Sequence, residues 1–273
     1  MVDRSGPLGV RSAGHLVATV VLYTAAGVVG GLGWPFRIVA VVFMGFLVAG
    51  LGGAIHESVH RLLFAGRRAN EVVGRVVAAL LLMPYDAYRA YHIDHHRWTL
   101  TERDPEGPEG YRFTRRSQFL FIPLAMLGFV ASLARVSAQW ARGRGPAWSA
   151  APKGPGALLS WIGALGPLVA GWVVSPAWMV RWWLVPWTAA VILFLPWWLL
   201  TEHYGAATGS GWASTVTSNR LVSWAYWWNN LHDIHHRDQR IPPQHRLAAH
   251  IATLGPPPAE GYLKRLSAIL RTT

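Results

Sequence analysis

Nine of the twelve histidines in this 273-residue chain fall into short runs. His56 and His60 lie in HESVH. His92, His95 and His96 lie in HIDHH. His203 stands alone in TEHYG, and His232, His235 and His236 lie in NNLHDIHH. Residues three and four apart share a face of a helix. The first run therefore aims two imidazoles one way, and each later run offers three together. Neutral imidazole suits iron, copper, zinc and nickel. A single metal takes about three to five protein ligands, so nine histidines fit two metals. His15, His245 and His250 stand apart and read as core or surface residues. Glu57, Asp94, Glu202 and Asp233 sit in or beside the runs. A carboxylate there would accept from the second imidazole nitrogen and fix the ring's tautomer. The chain has no cysteine, which excludes thiolate zinc sites, iron–sulfur clusters, disulfides and cysteine nucleophiles.

The elements that must position these rings are apolar helices. Hydrophobic residues make up 52% and charged residues 14%, with a mean hydropathy of +0.25. A soluble domain carries about 25% charged residues. The sixteen Trp suit a chain with membrane–water interfaces to fill. Apolar stretches at 15–33, 38–55, 157–174 and 182–200 are each long enough to cross a hydrocarbon core of roughly 30 Å. Gly33 to Phe36 and Ser175 to Trp178 read as turns. The expectation is an all-α membrane protein with four transmembrane helices in two hairpins, plus a cytosolic helical cap carrying the histidines. Residues 1–273 form one domain in this reading, with the cap at 56–156 and 201–273. The stretch 72–83 is too short to span and 119–133 is borderline. Residues 143–156 read as a linker, and 260–270 as an amphipathic helix lying on the membrane.

Orientation follows from charge. Lys and Arg total 25 against 13 Asp and Glu, a formal +12, and 23 of the basic residues are Arg. In a soluble protein this would point to nucleic acid. In an apolar chain it points instead to loops held on the cytoplasmic face. If 119–133 does not span, only Arg37 and Arg181 lie outside and the other 23 lie inside. If it spans, Arg135, Arg142, Arg144 and Lys153 move outside. The first arrangement is favoured, with 119–133 flat at the interface or packed on the cap. His56 and His203 then end their helices on the cytosolic side, where all nine histidines meet just above the bilayer. That placement uses the arginines alone.

The runs resemble the integral-membrane fatty acid desaturase and hydroxylase superfamily, whose pattern is HxxxH, HxxHH and HxxHH between hydrophobic hairpins. The resemblance covers roughly His15 to Leu247. Arg103, Asp104, Pro105 and Glu106 are similar to the acidic stretch after the second box in many members. Asn229, Asn230, Leu231 and His232 are similar to the asparagine-led third box of bacterial members, and Ile241 to Leu247 to the proline-containing tail. The resemblance implies two non-haem irons with His56, His60, His92, His95, His96, His203, His232, His235 and His236 as metal-binding and catalytic residues. It also implies dioxygen as co-substrate and a fatty acyl or lipid substrate. Leu199 stands where some acyl-CoA desaturases have an asparagine one turn before the fourth-span histidine, and Asn230 could orient a water instead. The chain has no fused cytochrome b5 domain, so electrons would come from a separate, ferredoxin-like donor, which a basic face would attract.

Breaking an unactivated C–H bond needs a strong oxidant made from dioxygen and open metal positions to receive it. Histidine ligands hold iron without adding negative charge, unlike the Glu-rich sites of soluble di-iron bundles. The leading expectation is an oxygen-dependent desaturase acting on a fatty acyl chain. A hydroxylase, a carotenoid ketolase or a desaturase of a specialised metabolite uses the same boxes. Val72 to Met83, Phe119 to Leu133, and Trp224, Trp227 and Trp228 could line a substrate path. A membrane metal-binding or transport protein would put ionisable residues inside its spans, where this chain has almost none. A zincin-like hydrolase would use HESVH plus one ligand and leave six histidines unexplained.

Overall fold

The computed structural model describes residues 8–105, 155–203, 219–257 and 261–271, with isolated positions between 124 and 142. The expected interfacial segment 119–133 and the linker 143–156 lie largely outside the described residues. The described elements are all helices. Helix α1 is Leu8–Val29, extended by a 3-10 turn at Gly30–Leu32, and α2 is Trp34–Val59 with Pro35 in its first turn. Then come α3 (Arg67–Leu80), α4 (Tyr85–Trp98), α5 (Pro155–Val174) and the long α6 (Pro176–His203). Short helices follow: α7 (Arg220–Ala225), α8 (His232–Arg237), α9 (Arg246–Leu254) and α10 (Tyr262–Arg271). Val17, Val20, Val21 and Val28 of α1 and Trp34, Ile38 and Val39 of α2 are exposed, an apolar face that only lipid can cover.

The number of spans differs from the sequence expectation. Among the described residues three helices are long and apolar enough to cross a membrane: Gly9–Leu32, Trp34–Val59 and Pro176–His203. Of the stretch expected to span at 157–174, which lies in α5, only Trp161–Val174 counts among these residues, as a shorter apolar helix. The described residues give an all-α membrane protein with three apolar candidate spans and a helical cap in place of the expected four transmembrane helices in two hairpins. Hydropathy alone counted 157–174 as a fourth span. It also drew a four-residue turn at 175–178, whereas only Ser175 lies outside helix and α6 begins at Pro176.

Helix α6 is interrupted twice by π-helical turns, Val180–Leu184 and Ala190–Phe194. Each precedes a proline, Pro186 and Pro196. A helical proline cannot donate to the carbonyl four residues back and crowds it, and an unmet carbonyl is costly in lipid. Both affected carbonyls have other donors. The Trp197 indole N–H donates to the Ile192 carbonyl at 3.1 Å, and the Tyr23 hydroxyl of α1 donates to the Trp182 carbonyl. The second bond ties α1 to α6. Tyr23→Phe is therefore expected to lower stability by about 1 kcal/mol, read as a lower melting temperature in detergent. An unchanged melt would show that the Trp182 carbonyl is met some other way.

The core joins α2, α3, α4 and α6 through residues such as Ile55, Val77, Tyr85, Tyr91, Leu195 and Trp198. A side chain at Gly53 would collide with the Tyr226 carbonyl, 2.7 Å from its Cβ. This bare patch of α2 lets the turn after α7 lie against it and carries the third histidine run to the first.

Candidate metal centre

Four elements deliver the nine rings. The last turn of α2 holds His56, and His60 caps it. Helix α4 carries His92, His95 and His96, α6 ends on His203, and α8 carries His232, His235 and His236. Eight of the nine are buried and His60 is partly so. The chain turns sharply before or after the helices that carry the runs. Arg61, Leu82, Leu100, Trp227 and Trp228 all adopt the left-handed conformation, with φ between 56° and 61°. For a residue with a side chain this costs roughly 1–2 kcal/mol, and such strain gathers at functional sites.

The rings form two adjoining groups. His56, His60, His92, His96 and His235 make one, and His95, His203, His232 and His236 the other, each with one ligand atom per residue within 4.8 Å of the rest. The three-histidine runs are split, not kept on one face as the spacing suggested. His92 and His96 stay together while His95 crosses to the second group, and His232 and His236 stay together while His235 crosses to the first. At about 100° per residue, positions i+3 and i+4 diverge by the same angle. Each run thus supplies both groups. They meet where the His96 and His236 rings lie 4.3 Å apart, centre to centre.

The donor set fits metal ions. In the first group the Nε2 atoms of His92 and His60 are 3.0 Å apart, those of His96 and His92 2.9 Å, and those of His235 and His96 3.0 Å. In the second, Nε2 of His203 lies 3.2 Å from that of His95 and 3.1 Å from that of His232, and His236 and His232 are 3.0 Å apart. Ligands at about 2.1 Å from a metal and at right angles are separated by about 3.0 Å. Nε2 of His56 is buried without a hydrogen-bond partner among the described residues. Its ring lies 4.4 Å from that of His235 and 4.5 Å from that of His92.

Outer nitrogens of four of the rings are held in turn. Nδ1 of His95 donates to Asp104 at 2.9 Å, and Asp104 also accepts the Leu100 backbone N–H at 2.7 Å. Nδ1 of His236 lies 3.3 Å from the Thr99 hydroxyl, which itself donates to the His95 carbonyl. Nδ1 of His56 donates to Glu57 at 2.8 Å, and Glu57 pairs with Arg246 at 2.7 Å. Arg246 is fully buried. Its guanidinium also reaches Asn229, the Trp227 carbonyl and, at 3.0 Å, Nδ1 of His235. One cation thereby locks the first and third runs together. Of the four expected carboxylates, Glu57 is in contact and Glu202 stands 3.6 Å from His232. Asp94 faces Arg97 and Asp233 faces His250. Asp104, Arg246 and Thr99 were not assigned this role from the sequence. The acidic stretch after the second run held the signal for Asp104.

The three remaining histidines stay outside both groups. His15 stacks on Trp227 and Trp224, with centroids 4.0 and 4.6 Å away. His250 donates to the Gly255 carbonyl, and His245 ends a 3-10 turn at Pro243–His245. Trp224 and Trp227 thus brace α1 against the turn before the third run.

Burial, and then the neighbouring histidines, hold His60, His92, His96, His232, His235 and His236 well below the ordinary histidine value of 6.5, with Arg246 adding to the effect at His60, His92 and His235. They are neutral at pH 7, with ring lone pairs available to a metal. In the unfolded chain the same rings protonate as the pH falls through 6.5. Their contribution to stability is therefore fully present above 6.5 and is lost as the pH drops towards their depressed folded values. Thermal melts at pH 7.5, 6.5 and 5.5 should show falling stability below 6.5. A flat profile would contradict this burial.

The chain matches the family described as fatty acid desaturase over residues 32–263, more than half its length. No curated protein matches it significantly. With histidine groups consistent with a di-iron motif and a family match running from the end of the first span into α10, the chain belongs to the fatty acid desaturase family.

Proposed function

We propose that this protein is an oxygen-dependent di-iron desaturase that introduces a double bond into a fatty acyl or other lipid chain. The nine histidines hold the irons, five on one and four on the other, on the cytosolic side of the membrane. The observation that carries this reading is the sorting of all nine rings into two adjoining groups at one end of the spans. When bound, the irons supply oxidation of an unactivated C–H bond at the expense of dioxygen. The balance is two hydrogens lost from adjacent carbons, one dioxygen reduced to two waters, and two electrons and two protons taken up from a separate donor. The chain's own residues keep the ligand nitrogens deprotonated and hold ring orientation through Asp104, Glu57 and Thr99. The apolar spans deliver a lipid substrate to the site.

Expression in a bacterium, with lipid profiling of the intact chain and of His95→Ala, tests the reading. The expected result is a product two hydrogens lighter from the intact chain alone. A product that has gained oxygen would replace desaturation with hydroxylation or ketolation. The same product from His95→Ala would remove the site assignment.

A further inference from the structure

At the opposite end of the spans α1, α2 and α6 enclose a second cavity, of about 340 Å³. Small-molecule sites occupy roughly 300–1,000 Å³. Its lining combines the apolar Val41, Met44 and Val185 with Arg37, Arg181 and Trp182. Arg37 lies nineteen residues before His56 on α2, about 28 Å away along the helix. Arg181 lies twenty-two residues before His203 on α6, about 33 Å. The site is thus remote from the metal centre. Glycines on α1 shape it. The Trp182 ring lies so close to Gly27 that a Cβ there would overlap it, and a Cβ on Gly31 would sit 3.4 Å from the Arg181 guanidinium. That guanidinium also lies over Trp182, 5.4 Å from the ring centroid.

The two arginines have no acidic neighbour along these helices. The chain holds no Asp or Glu between Asp3 and Glu57 or between Glu109 and Glu202. Both side chains are exposed at a level where the surrounding surface is apolar, with Trp34, Ile38 and Val28 bare. A guanidinium recognises phosphate through paired N–H bonds, and basic pockets between membrane helices bind lipid head groups. From this convergence of Arg37 and Arg181 on an apolar interhelical cavity, we propose that the protein binds an anionic phospholipid in the leaflet opposite the metal centre. The phosphate sits on the two arginines, and an acyl segment lies along Val41, Met44 and Val185.

The test uses the full chain in nanodiscs of phosphatidylcholine and phosphatidylglycerol in equal amounts, with the lipid retained on extraction counted by native mass spectrometry. The expected result is selective retention of phosphatidylglycerol, weakened roughly thirtyfold in R37Q/R181Q and less weakened in R37K/R181K, which keeps the charge but not the paired N–H bonds. V41W keeps both charges but fills the apolar wall, and should also lose retention. Iron content in each variant reports folding independently. Equal retention of both lipids by the intact chain would overturn the proposal, as would unchanged retention in R37Q/R181Q or V41W. So would binding of glycerol phosphate as tight as that of phosphatidylglycerol.

Discussion

His96→Ala is expected to abolish product formation, by at least about a hundredfold, and to lower bound iron from two per chain to at most one. Changes merely next to metal ligands cost about 10- to 100-fold, and His96 stands deeper than that. Its Nε2 lies 2.9 Å from that of His92 and 3.0 Å from that of His235, and its ring adjoins His236 of the other group. Its loss opens the first group and loosens the seam between the two. His15→Ala provides the contrast. His15 is equally a buried histidine, but it stacks on Trp224 and Trp227 and joins neither group. Its variant should keep two irons while melting earlier. Iron analysis beside product assays distinguishes the two, and equal iron loss in both variants would refute the sorting of the rings.

Arg246→Met is expected to be the most destabilising single change away from the ligands, by about 3–5 kcal/mol. The substitution leaves the Glu57 carboxyl fully buried without its cation, and frees Asn229 and Nδ1 of His235 together. The double variant E57Q/R246M removes both charges. Its amide side chain at position 57 still offers an oxygen to Nδ1 of His56, so part of the loss should return. Denaturation of the two single variants and the double closes the cycle. A double variant no more stable than Arg246→Met alone would show that Arg246 acts through packing and not through its charge.

The contrast between Arg246 and the histidines marks what the sequence exposes. The nine rings are legible because their spacing matches the helical repeat and because chance does not place such runs at the ends of apolar stretches. Their division into five and four is not legible. It depends on how α4 and α8 are rotated against each other, which only packing sets. Arg246 reads as one more arginine in a chain with 23, and nothing local says that it crosses to Glu57, 189 residues away. Composition alone also overcounted the spans. The π-helical turns that interrupt α6 leave no mark beyond Pro186 and Pro196. The left-handed turns before or after the helices that carry the runs fall on Arg61, Leu82, Leu100, Trp227 and Trp228, residue types that do not announce them.

Metal analysis of the purified chain, by elemental quantification with Mössbauer spectra of protein grown on iron-57, bears most directly on the two adjoining histidine groups. The expected result is two irons per chain with spectra of iron in nitrogen-rich coordination. One zinc per chain, or iron bound equally well after all three of His203, His232 and His236 are replaced by alanine, would contradict it.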